Sequence, residues 1–146
     1  MPGVVRSRSR VILYWIATLL IAAEMVTGGT WDLVRTAYVR ELMAHLGYPE
    51  YMLTILGAWK ILGAIAILAP GFPRLKEWAY AGMIFDLTGA AASHLVCHDP
   101  GSKVVIPLTL SLIALLSWAL RPSSRRLSFT ASQDDVRSAR PHPSLS

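Results

Sequence analysis

A single cysteine, Cys97, among 146 residues excludes an intrachain disulfide and leaves no Cys-x-x-Cys dithiol to relay electrons. An enzyme that passes disulfides to quinone needs paired thiols, so that class falls away. No His-Glu-x-x-His motif is present, nor any ligand set for haem, flavin or an iron–sulfur cluster. Charge is scarce, with 16% charged residues against 53% hydrophobic ones. A mean hydropathy of +0.45 fits a small multispanning membrane protein with polar ends better than a soluble globule. The net charge of +5 invites nucleic acid as a partner. The basic residues flank apolar runs instead, so the expected partner is the lipid bilayer and not nucleic acid.

Four apolar runs stand out: 11–28, 52–69, 78–97 and 104–120. Each approaches the ~20 residues needed to cross a hydrocarbon core ~30 Å thick, and only helices satisfy their own backbone within such short stretches of lipid. The expected fold is therefore all-α, a four-transmembrane-helix bundle. Ten basic residues lie in the segments 1–10, 70–77 and 121–146, and three (Arg35, Arg40 and Lys103) lie on the other side. That asymmetry puts both termini in the cytoplasm of a cell with this protein in its inner membrane. The basic start and apolar run also resemble a signal peptide, but Glu24 falls near the cleavage position and no Ala-x-Ala pattern follows, so an uncleaved anchor is expected.

Between the first two runs, Trp31, Val34, Tyr38, Leu42 and His45 recur at helical spacing before Gly47 and Pro49. This predicts a short amphipathic helix over Trp31–Leu46 on the extracytoplasmic side. Residues 1–10 read as a basic cytoplasmic tail. From Arg121 the chain turns to Arg, Ser, Pro and Asp, the composition of a disordered basic cytoplasmic tail over 121–146.

Three ionisable residues sit inside the apolar runs: Glu24, Lys60 and Asp86. A charge in hydrocarbon costs roughly 2.5–3.5 kcal/mol on insertion scales, so such residues face a bundle interior, pair, and mark functional sites. Gly82, Ala90, Ser93 and Cys97 share a helical stripe with Asp86, flanked by Gly89 and His94; Gly57, Gly63 and Ala64 share a face with Lys60. Small residues there allow close helix approach. Lys60 and Asp86 lie near the middles of their runs and are expected to meet. Glu24 lies about one turn (~5.4 Å) further out, and His94 beyond that. The pattern predicts a polar cavity opening outward. Lys60 neutralises only one acid, so Glu24 either carries a proton or is reached by water. The candidate catalytic groups are Glu24, Asp86 and His94, with Lys60 and Ser93 binding ligand or balancing charge. His94 and His98 at i and i+4, with Cys97, have the spacing of a partial metal site, but no complete ligand pattern supports one and none is expected.

The stretches Ala44-His-Leu-Gly-Tyr-Pro49, Leu56-Gly-Ala-Trp-Lys-Ile-Leu-Gly-Ala-Ile-Ala66, Pro73-Arg-Leu-Lys-Glu-Trp-Ala-Tyr-Ala-Gly82 and Phe85-Asp-Leu-Thr-Gly-Ala-Ala-Ala-Ser-His94 resemble the DoxX-like integral membrane proteins. The resemblance covers about Val11 to Leu120. It implies a four-helix membrane bundle, and links to thiosulfate or quinol oxidation in some relatives. By position, Lys60, Asp86 and His94 match the family's intramembrane polar residues. Glu24 and Gly28–Asp32 fit the end of its first helix more loosely, while Cys97, His98 and the Arg/Ser tail depart from the pattern.

Two classes of function remain open. One is a subunit of a membrane redox or small-molecule enzyme, its cavity taking a quinone-like or other small apolar ligand. With no covalently bound cofactor expected, electrons would then pass through a diffusible quinone, a redox partner subunit or a homo-oligomer. The other is a non-catalytic scaffold or small-molecule transporter whose polar cluster ties helices together.

Overall fold

Every regular element is a helix in the computed structural model, which describes residues 2–122 and 125, with side chains from residue 8 onward. The five helices are α1 (Pro2–Leu33), α2 (Ala37–Leu46), α3 (Tyr51–Leu68), α4 (Pro73–Val96) and α5 (Gly101–Leu120). The expected basic tail over 121–146 lies almost wholly outside the described residues.

Short turns reverse the chain between long helices. Gly47 closes α2 in the left-handed region at φ 78°, its N–H reaching Ala44 O while the Tyr48 N–H reaches Met43 O. This is the glycine-terminated helix end that only a residue without Cβ adopts cheaply. Pro73 opens α4 in the first turn, where its missing N–H costs nothing. Lys76 is fully buried and donates to the carbonyls of Ala66, Ile67 and Ala69 at the end of α3. A lysine thus satisfies carbonyls that have no partner within their own helix.

The four long helices close a ring: α1 on α3, α3 on α4, α4 on α5 and α5 on α1, while α2 packs on α3. The core between them joins Ile21 and Met25 of α1, Ala64 and Ile67 of α3, Tyr80, Met83 and Leu87 of α4, and Ala114 of α5. Below it, Ser117 shares 2.7 Å hydrogen bonds with Thr18 and with Tyr80, so α1, α4 and α5 are tied by hydroxyls. The outside is the reverse of a soluble surface. Trp59 is 68% exposed, Phe85 75% and Leu112 65%. A belt of large apolar side chains on all four long helices is what a bilayer, not water, covers.

Three helical segments are long and apolar enough to cross a membrane: Arg8–Leu33, Tyr51–Leu68 and Gly101–Leu120. The run expected over 78–97 falls in α4, which does not meet that measure. The reason is compositional: Asp86, Thr88, Ser93 and His94, with the run of Gly and Ala between them, dilute its apolar residues.

The amphipathic helix expected from Trp31 starts later, at Ala37. Trp31 and Asp32 instead belong to the last turn of α1, and the chain turns over Val34–Thr36, with Arg35 at φ 52°. Gly28-Gly29 does not end α1, although two glycines weaken a helix by about 1 kcal/mol each. Packing holds it. A Cβ on Gly29 would lie 3.0 Å from the Gly57 carbonyl oxygen, and one on Gly57 only 2.8 Å from that of Gly29. The two glycines let α1 and α3 cross with backbones in contact, the arrangement that drives helix association in lipid.

Candidate functional site

The C-terminal end of α1, α2, the start of α3, the end of α4 and the start of α5 share one end of the bundle. There the helices enclose a cavity of about 760 Å³. Its walls include all five candidates read from the sequence: Glu24, Lys60, Asp86, Ser93 and His94. Val39, Leu42 and Leu46 of α2 cover one side with apolar surface. Ile21, Met25 and Leu87 belong to the core that fills the bundle next to it.

Lys60 is the centre of the deeper charges. Its Nζ donates to Asp32 Oδ2 at 2.9 Å and lies 3.9 Å from Asp86 Oδ2. The Lys60–Asp86 pairing read from depth is therefore present but loose, and the close partner is an acid the sequence reading left aside. Continuing α1 past Gly29 puts Asp32 two helical repeats after Glu24, on the same face as Gly28. Gly28 separates the two charges: a Cβ there would sit 3.5 Å from Glu24 Oε1 and 3.8 Å from Lys60 Nζ. Glu24 Oε2 is buried with no hydrogen-bond partner among the described residues. Asp32 is 7% exposed at its side chain, against 22% for Asp86. Three carboxyl groups thus converge near one ammonium at the floor of the cavity.

A second polar group closes the outer end. Asp99, in the turn between α4 and α5, accepts from His94 Nδ1 at 2.7 Å and from His45 Nε2 at 2.9 Å, with Lys103 Nζ at 3.7 Å. The His94 hydrogen bond, then His45 and Lys103, hold the Asp99 carboxyl below the usual carboxylate range. One acid thereby joins α2, α4 and α5. Ser93 donates to Gly89 O and takes a 2.8 Å hydrogen bond from Tyr48, which follows α2. His94 lines the cavity, is 10% exposed at its side chain and is engaged by Asp99.

The residues missed from the sequence are Asp32, His45, Tyr48, Asp99 and Lys103. Asp32 carried a signal, its helical register with Glu24. Asp99 carried none, since it stands in the turn after the helix and the partner that ties it to α2, His45, lies far away in the chain. Cys97 also lies beyond α4, with Sγ 3.9 Å from the His45 carbonyl oxygen. Among the described residues no three His, Cys, Asp or Glu side chains are grouped to hold a metal ion.

No curated protein and no solved structure matches the chain. A family model does match over residues 16–117, a range that holds α2, α3 and α4 whole, the C-terminal part of α1, most of α5, the glycine crossing and both polar groups. The charged floor on α1, α3 and α4 and the membrane-suited exterior are thus features of a chain that belongs to the DoxX-like family.

Proposed function

We propose that α1, α3, α4 and α5 cross the cell's inner membrane together, with both termini cytoplasmic and α2 on the extracytoplasmic side. In that arrangement the cavity opens outward and takes a small, partly apolar ligand bearing a carbonyl or hydroxyl oxygen, such as a quinone. The observation that carries this reading is Glu24 Oε2: a buried, unpartnered carboxyl oxygen in the wall of a large cavity. Buried polar atoms are normally satisfied, and exceptions cluster at functional sites. In its acid form Glu24 donates a hydrogen bond to a ligand oxygen. Lys60 balances one charge of the Asp32 and Asp86 pair, and His94 with Asp99 offers a route for a proton toward the outside. Any redox use would have the quinone itself carry the electrons to or from a partner subunit, the chain's own residues supplying binding and protons.

One observation favours a purely structural role. Lys60 reaches from α3 to Asp32 on α1 and toward Asp86 on α4, tying three helices at once. The experiment that separates the two readings uses Glu24→Leu, which removes the donor, because Glu24 is no part of those ion pairs. Binding of a decyl-chained dimethoxybenzoquinone to the protein in lipid nanodiscs is expected to be saturable. It should weaken about tenfold, a loss of ~1.4 kcal/mol, in Glu24→Leu at a thermal stability no lower than the parent's. Unsaturable binding, or equal affinity in the variant, would leave the structural role standing alone.

A further inference from the structure

A second hollow lies outside the ring, between α3 and α4, and holds about 650 Å³. Its walls are nearly all apolar, from Leu62 and Ala66 of α3 to Leu75, Trp78 and Gly82 of α4. It adjoins the cavity across a shared wall. Leu56, Lys60, Phe85 and Asp86 line both, so the loosest ion pair of the site stands at the junction. The 3.9 Å Lys60–Asp86 pair is the one that can part, because Lys60 keeps Asp32 at 2.9 Å when Asp86 turns away. The α4 side is open as well: nothing lies within 4 Å of a Cβ built on Gly82 or Gly89.

Taken with the cavity reading above, on which it rests, this adjacency defines a substrate class. We infer that the ligand is an amphiphile that enters sideways from the bilayer, its oxygen-bearing head among Glu24, Lys60 and Asp86 and its single apolar tail in the α3–α4 groove. The charges fit only the head and the groove only the tail. The groove runs from Asp86 back to Leu75 on α4, which at 1.5 Å per residue is about 15 Å of tail. Trp59 and Trp78, 68% and 80% exposed, flank it on the lipid side. A head-only molecule would leave this groove to bilayer lipid, and a two-chain lipid would have one chain without a seat.

The test is photolabelling in lipid nanodiscs with a decyl-chained dimethoxybenzoquinone that carries a diazirine at the tail end. The tailless quinone is the competitor. Saturable labelling of Leu62, Leu75 or Trp78 that excess tailless quinone suppresses is the expected result. Filling the groove with Gly82→Phe or, independently, Ala81→Trp should cut that labelling about tenfold while leaving the size-exclusion profile unchanged. Labelling that the tailless quinone suppresses, but that falls on Tyr38 or Leu42 and ignores both variants, would overturn sideways entry and leave the cavity reading intact. Saturable groove labelling indifferent to the tailless quinone would mark a lipid-chain seat unconnected with the cavity, and would also overturn the inference. Labelling that neither saturates nor responds to the competitor would remove the cavity reading together with it.

Discussion

Asp32, and not Asp86, is the acid that holds Lys60, at 2.9 Å against 3.9 Å. The difference sets an order of energetic weight. Asp32 is the more buried, so replacing it with Asn removes the close charge-to-charge hydrogen bond of Lys60 in a dry setting while Asp86 stays nearby, a loss on the order of 1.5–3 kcal/mol. Asp86→Asn leaves the closer pair intact and is expected to cost clearly less. Thermal unfolding of the two variants in the same detergent measures this directly. A larger loss for Asp86→Asn would mean that the loose pair, not the tight one, carries the charge balance.

The crossing of α1 over α3 depends on two hydrogen atoms. Gly57→Ala puts a methyl 2.8 Å from the Gly29 carbonyl oxygen and 2.9 Å from Leu33 Cγ, so the helices must separate. Overpacking of this kind costs about 1–3 kcal/mol, and it displaces Lys60 from Asp32 as well. Gly82→Ala, with open space around it, is the matched control and should be neutral or slightly stabilising through helix propensity. Equal melting points for the two variants would count against the close crossing.

Most of this architecture can be read from hydropathy, and the exceptions are instructive. The small residues beside Lys60 and Asp86 place both on packed faces, so their convergence on one cavity follows from helical register alone. Asp32 escaped because Gly28-Gly29 resembles a helix end; the tertiary contact with Gly57 that keeps the helix intact has no local trace. Asp99 escaped for a different reason. His94 and Lys103 are near it in the chain, but it stands in a turn, and no periodic signal links a loop acid to His45 on α2. The apolar character of α4 was overread, since its alanines and glycines supply length without much hydropathy.

The Asp99 group gives a pH dependence of known sign. Its folded pKa is depressed, so its contribution is complete above the unfolded value of about 3.9 and fades as pH falls through the lower folded value. Three groups face it: His45 from α2, His94 from α4 and Lys103 from α5. Wild-type protein should therefore lose melting temperature more steeply than Asp99→Asn between pH 5 and the acid limit of folding. Amide exchange in α2 should rise along with that loss, because His45 tethers this helix to the bundle. Parallel pH profiles for the two proteins would show that the carboxylate's charge is not what fastens α2.

Topology turns on α4, the helix whose hydropathy falls short. If it crosses the membrane with the other three, α5 begins outside and ends inside. If it does not, α5 runs the opposite way, and the α4–α5 turn and everything after α5 change their assigned sides. The interior offers a reason for α4 to cross: its Tyr80 hydroxyl meets Ser117 below the core, while its His94 meets Asp99 beyond the cavity. A helix tied to α5 at both ends shares that helix's depth in the bilayer, and its polar face is turned to the cavity instead of lipid. Single cysteines at Ser102→Cys and Ser124→Cys, in a Cys97→Ala background, decide the matter with a membrane-impermeant maleimide. Ser102→Cys should label in intact cells and Ser124→Cys only after permeabilisation. Exchanged sides would take α4 out of the membrane or invert the bundle, labelling of both from one side would take α5 out, and either result would close the outward-facing cavity reading.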